Sequence, residues 1–388
     1  MENSLKNILI AHNKYIHYGG EDSVVESEVK MLRKYGHNVY VYERENSLLK
    51  NKSKLKILAD SVWSKKTVKD LEEIFKEFKP DVIHVHNTLP QISPSIYWVA
   101  SKYNIPAIQT IHNFRLSCLQ AMFLRNNKIC ELCKGKLPLK GIINKCYRDS
   151  FAASTTLAIS LIAHRVLGTY KRKINIYIAL NEFCKEKLIE MGVPKSKILI
   201  KPNFVQPPKQ MNTEKNGNPL YVGRLSEEKG IQVLVNAIKS IPKYNFDVAG
   251  DGPKKSLFKN AHNVNLLGNI SQQKVIDLMS NAPFIIVPSL WYENMPRTIV
   301  ESFSMGTPVI ASDIGALSRL VDHGKTGLLF KTGSTNDLIR TIKWSLREKK
   351  KIMKMGVLAK EKYNINYTED VNYRALTSIY NHALSTNK

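Results

Sequence analysis

Two carboxylates, Glu293 and Glu301, flank the stretch NMPRTIV. Pro296 suits the first position of a helix and Gly306 its stop, while residues 284–287 and 309–311 are short apolar runs of the kind a parallel sheet buries. The backbone N–H groups of Asn294, Met295 and Arg297 then lie at a helix N-terminus, a place that holds phosphate or a negatively charged oxygen. Glu301 falls on the second turn, so the two acids enter one cleft from different depths. Spacing alone also fits a surface helix with two solvated acids.

Other groups able to do chemistry lie where strands give way to helices. Gly223, Arg224 and Lys229, in VGRLSEEKG, follow an apolar run and precede a helix at Ile231. Beside Glu227 and Glu228 these cations could be surface pairs of little energetic consequence. Gly250 and Gly252 form a tight turn after a strand at 246–249. Gly19 and Gly20 follow a strand at 7–11 and let a ligand approach the backbone at a helix start. GGEDSV is not G-x-G-x-x-G, which excludes the dinucleotide fingerprint. His84 and His86, in the strand DVIHVH, and His112, after a strand at 106–111, could be hydrogen-bonded ends of strands or contacts to a ligand. His-x-His without a third ligand is a poor zinc signal.

Cys118, Cys130, Cys133 and Cys146 are spaced C-x11-C-x2-C-x12-C, with Cys184 left over. With no secretion signal, disulfides are not expected. Four thiolates with one C-x2-C arm could hold a structural zinc ion as a brace for an insertion at 115–150, although a second such arm is missing.

The motif ENMPRTIVE with the run GTPVIASDIG closely resembles the nucleotide-binding half of the retaining glycosyltransferases of family 4, which have the GT-B fold. The resemblance implies that Glu301 holds the ribose hydroxyls of a sugar nucleotide and that Glu293 lies against the donor sugar. It assigns Gly223, Arg224 and Lys229 to the family's G-R-x4-K signature, whose cations grip the diphosphate. This suits glycosyl transfer, because charge grows on the leaving diphosphate as the C1–O bond breaks. By the same resemblance Gly19 and Gly20 approach the diphosphate, Gly252 lies beside the base, and His112 lies close to the reacting carbon. Asn294 and Met295 complete the donor-binding set, with His112 and Glu293 as catalytic residues and no metal required for catalysis. Ala316 and Arg319 depart from the family's Gly and Glu, so finer inference about the sugar is not drawn.

Length and composition set the frame. With 388 residues, 43% hydrophobic and 23% charged, the chain suits two α/β domains. The expected organisation is two Rossmann-like β/α/β domains facing a cleft: residues 1–203 on the acceptor side, 204–365 for the sugar nucleotide, and a helix at 366–388 crossing back to the first domain. A net charge of +25 calls for an anionic partner. Residues 50–66 hold six Lys and one acid, with Leu55, Leu58, Ala59 and Val62 at helical spacing, as a basic amphipathic helix on an anionic membrane would. A solvated Lys-rich face is the alternative. No nucleic-acid-binding motif is found. No signal peptide or spanning segment is read, so the expectation is a cytoplasmic chain, peripheral on the inner face of the plasma membrane.

The expected activity is retaining transfer of a sugar from a nucleotide-sugar donor to a saccharide or lipid-linked acceptor in surface-polysaccharide assembly. The rival enzyme is a sugar-nucleotide 2-epimerase of the same fold. The rival outside catalysis is a module that binds anions on its basic surface.

Overall fold

Strands buried on both faces read as near-continuous runs of Ile, Val and Leu, and this chain supplies them in two sets. The computed structural model describes residues 5–16, 19–46, 53–207 and 214–387, without the side chains of residues 54 and 55. Two compact units result: Met1–Met122 with Glu131–Pro202 and Asn372–Lys388, and Phe123–Cys130 with Asn203–Val371.

In the first unit, β1 (Asn7–Lys14), β2 (Asn38–Glu45), β3 (Val82–Asn87) and β4 (Ala107–Thr110) belong to one sheet. After a hairpin of β5 (Leu124–Arg125) and β6 (Lys128–Ile129), which groups with the second unit, come β7 (Ile176–Ala179) and β8 (Ile198–Ile200). The sheet is parallel throughout, in the order β2-β1-β3-β4-β7-β8. In β3 (VIHVHN) even the two histidines are buried, so they must find partners inside.

The second unit repeats the plan with β9 (Leu220–Val222), β10 (Phe246–Ala249), β11 (Val264–Gly268), β12 (Ile285–Val287), β13 (Val309–Ser312) and β14 (Gly327–Phe330). These strands are also parallel, in the order β11-β10-β9-β12-β13-β14. Strand order reverses between β1 and β3 in one sheet and between β9 and β12 in the other. At such points the loops after the carboxyl ends diverge and leave a crevice for ligands. Leu234, Ile238, Phe246, Ile286 and Ile310 form part of the second unit's core.

The expected basic helix at 50–66 is two helices. Lys54–Val62 ends at Trp63, and Ser64 caps the next, Lys65–Glu77, by accepting from Thr67 N at 3.2 Å. Lys50 and Lys52 lie outside the described residues, as does the side chain of Leu55. The last helix runs Glu369–Thr386, and its residues from Asn372 onward belong to the first unit. None of the described helices is long and apolar enough to cross a membrane.

Candidate functional site

In the second unit the loops after β9, β10 and β12 interlock through backbone bonds. Leu225 N donates to Asp251 O at 2.9 Å, and Leu290 N donates to Glu228 O at 2.9 Å. A Cβ at Gly250 would stand 1.9 Å from Gly223 O, and one at Gly230, where φ is +72°, 1.9 Å from Pro288 O. Glycine at these two positions lets the loops close on one another. Gly252 is equally tight, since its Cβ would meet Leu225 O at 2.5 Å.

This framework sets the charged groups at the reversal point of the sheet. Lys229 Nζ lies 2.5 Å from Glu293 Oε1, which also accepts from Ser289 Oγ at 2.7 Å. Glu293 is buried and Lys229 is about one-quarter exposed. Trp291 places its ring 5.6 Å from the ammonium. Arg224 Nη2 bonds Glu228 Oε1 at 2.5 Å with its side chain 65% exposed, so the guanidinium is anchored at one edge and open at the other. Burial works to raise the Glu228 carboxyl, but bonds from Ser226 and Arg224 outweigh it and hold it below the usual range. Glu301, on the helix Arg297–Ser304, is raised by burial against the opposing charge of Arg297, whose Nε is 3.5 Å away. Asn294 and Met295 are buried just before this helix, and Met295 turns its sulfur to accept from Asn203 N at 3.1 Å. The β5–β6 hairpin reaches the same loops, with Asn127 Nδ2 donating to Glu227 Oε1 at 3.0 Å.

In the first unit His112 follows β4, and its Nε2 lies 2.9 Å from His86 Nδ1. The other face of His86 looks inward, its Nε2 3.4 Å from Glu28 Oε2. Glu28 is fully buried on the helix Gly20–Lys34, and its second oxygen takes Lys201 Nζ at 2.6 Å. Lys201 is fully buried too and also donates to Asn372 Oδ1 at 3.1 Å. His84 is held between Tyr380 OH and Thr110 Oγ1, each at 2.7 Å, which is a structural role. Burial opposes ionisation of Glu28, yet Lys201 and then His86 hold its carboxyl well below the usual value. Burial, helped by His86, keeps His112 well below the usual imidazole value, so it is neutral at neutral pH. A concavity beside it is lined by His86, Tyr97, Gln109, His112 and Arg115.

Gly19 caps its helix in an extended conformation, and its N–H is taken by Asp22 Oδ2 at 2.8 Å. Asp22 also bonds His12 Nε2 at 2.8 Å. A Cβ at Gly20 would meet nothing within 4 Å, which leaves open space in front of the backbone. Among the described residues the one set of His, Cys, Asp and Glu ligand atoms lying within 4.8 Å of one another is Glu28, His84 and His86. Lys201 already supplies the positive charge there. Cys118, Cys130, Cys133 and Cys146 are half-buried and not joined in disulfides. Cys146 packs with Leu119, Leu157 and Leu161.

Sequence reasoning missed Glu28 and Lys201. Glu28 resembles any acid on an amphipathic helix; the only hint was a Lys directly after the apolar run ILI at 198–200.

Two family profiles match consecutive parts of the chain: "Glycosyltransferase Family 4" over residues 18–208 and "Glycosyl transferases group 1" over residues 206–362. The chain belongs to glycosyltransferase family 4. It is a transferase of two Rossmann-like α/β units. Among its relatives, an uncharacterized 42.6 kDa protein from the cps region of Klebsiella pneumoniae is 25% identical over 356 residues, 81% of this chain and 87% of that one. A crystal structure of a glycosyltransferase from Rickettsia africae matches with a TM-score of 0.71 at 18% identity, over 98% of this chain and 99% of that one. The structure of Anabaena Alr3699/HepE in complex with UDP-glucose matches with a TM-score of 0.64 at 16% identity, over 96% and 99%. At these identities the structural matches speak for the fold.

Proposed function

We propose that this glycosyltransferase moves a sugar from a nucleotide-sugar donor, with retention of configuration, to a saccharide or lipid-linked saccharide acceptor in cell-surface polysaccharide synthesis. The observation that carries the reading is the cluster of Lys229, Glu293, Arg224 and Glu301 at the reversal point of the second sheet. Lys229 and the open edge of Arg224 meet the diphosphate and stabilise the charge it gains as the bond to C1 breaks. Glu301, its ionisation disfavoured by burial, bonds the ribose hydroxyls, and Glu293, locked by Lys229 and Ser289, faces the sugar. Neutral His112 offers a nitrogen lone pair or N–H to the sugar beside the breaking bond. The acceptor hydroxyl attacks C1 from the side the diphosphate leaves, its proton passing to the departing diphosphate oxygen as the new C1–O bond forms. The fold shared with a protein bound to UDP-glucose supports the donor class, and the cps-region relative supports the setting.

Incubation of purified protein with labelled sugar nucleotides, alone and with saccharide acceptors, tests this reading. A glycoside with the donor's anomeric configuration is expected. Release of free epimerised nucleotide sugar without acceptor would assign the chain to the epimerase class instead.

A further inference from the structure

The first unit carries an apolar, positively charged face that its core does not use. Of the twenty exposed large apolar side chains among the described residues, eight fall between positions 132 and 167. The helix Phe151–Val166 buries Ser154, Leu157, Ala158, Leu161 and His164, which is the inward face its period requires. Its outward positions are Phe151, Ile159 and Val166, exposed by 57%, 46% and 81%. No acid lies on this helix, and Arg165 is its one Lys or Arg. An ordinary surface helix turns charge outward, and this one turns aromatic and branched side chains. The neighbouring short helix Leu139–Ile143 does the same, with Leu139 and Ile143 more than half exposed.

Charge surrounds these side chains. Positions 132–181 contain nine Lys and Arg and one acid, Asp149. Lys136, Lys140, Lys145, Arg148, Lys171 and Arg172 are all exposed. The turn bearing Lys171 and Arg172 is tied to the long helix by His164 Nδ1 and Thr169 Oγ1 at 2.9 Å. The basic helix Lys54–Val62 lies on the other flank, joined by Ser160 Oγ to Ser61 O at 3.0 Å and His164 Nε2 to Val62 O at 2.7 Å. It ends at Trp63, half exposed and stacked over His164.

We propose that this face is where the protein rests on an anionic lipid bilayer, the apolar side chains entering the headgroup region and the cations meeting lipid phosphates. Protruding apolar groups interleaved with cations match the edge of an anionic bilayer, where each cation adds attraction and each apolar side chain gains by insertion. Trp prefers that boundary as well. The inference goes beyond the donor chemistry and does not depend on it. It also shifts the membrane contact from one Lys-rich helix to a composite surface centred on residues 139–173.

Flotation of the full chain with phosphatidylcholine vesicles, with and without about one-third phosphatidylglycerol, tests it, since surface attraction scales with anionic lipid. Wild type is expected to float with anionic vesicles only. Phe151→Ser combined with Ile159→Ser and Val166→Ser should weaken binding at least about tenfold, as should Lys171→Gln with Arg172→Gln. The charge pair keeps the test valid if the apolar triple unfolds, which thermal unfolding reports. Equal binding to both vesicle types, no binding, or binding untouched by the charge pair would overturn the proposal. A wild-type dimer that the apolar triple dissociates, without vesicle binding, would assign the face to a second copy of the chain.

Discussion

Glu28 pairs with Lys201 where neither side chain meets solvent, and it is also the inner support of the His86–His112 pair. Removing one partner of a buried ion pair leaves the other charge uncompensated, which costs roughly 3–5 kcal/mol. Glu28→Gln should therefore lower the denaturant midpoint substantially, and Lys201→Met by a comparable amount. If Glu28→Gln unfolds like wild type, the pair is not the internal anchor described above. Glu21 makes a separate statement about pH. Burial pushes its carboxyl up to about 8 from an ordinary 4.5, although Tyr15 donates to it. Between those values the folded state binds more protons than the unfolded chain, so this contribution is complete below pH 4.5 and disappears as pH rises through about 8. Neutral His84 and His112 act oppositely, since their lowered values make stability fall on acidification below about 6.5. Comparing denaturation at pH 5 and pH 8, Glu21→Gln should lose less stability than wild type over that rise. An identical pH dependence in the two proteins would contradict the assignment.

Loops at the carboxyl ends of β9, β10 and β12 hold the charged residues only because backbone passes close to backbone. Gly250→Ala puts a methyl group 1.9 Å from Gly223 O, so the loop carrying Arg224 must move. A loss of at least about 2 kcal/mol is expected, in the range of strained or overpacked substitutions. Gly20→Ala, with nothing within 4 Å, should be tolerated in the ligand-free protein. Equal stability of these two variants, read from thermal unfolding, would count against the close approach. The strands most legible in the sequence were those ended by Pro, Gly or His, such as 284–287 before Pro288 and 246–249 before Gly250. Strand β14, GLLF at Gly327–Phe330, escaped because four residues carry too little period to separate strand from coil. The helix Lys349–Asn366 showed only its basic start at 349–354. Its buried residues, Ile352, Met355, Ala359 and Tyr363, keep the helical period, but the exposed apolar Met353, Val357 and Leu358 between them blur it. The hairpin at 124–129 turns on Asn126 and Asn127, both with positive φ, a local signal that the Cys spacing overshadowed.

Across the whole molecule, two sheets of parallel strands each reverse order once, and candidate chemistry gathers at both reversal points. Sequence revealed the second unit's group because Arg224, Lys229, Glu293 and Glu301 lie in two short motifs at strand ends. It concealed the first unit's support because Glu28 and Lys201 are joined only by folding, 173 positions apart. The central claim is that the loops after β9 and β12 bind a sugar nucleotide through Lys229 and Glu301. The most direct measurement is the shift in melting temperature of wild type, Lys229→Ala and Glu301→Ala with UDP-, GDP-, ADP- and TDP-sugars, since a ligand bound only by the folded state raises it. The account predicts that at least one donor stabilises wild type and that both variants, each compared with its own ligand-free melting temperature, lose most of that shift. A donor shift retained in full by Lys229→Ala, or no shift with any of the four, would contradict it.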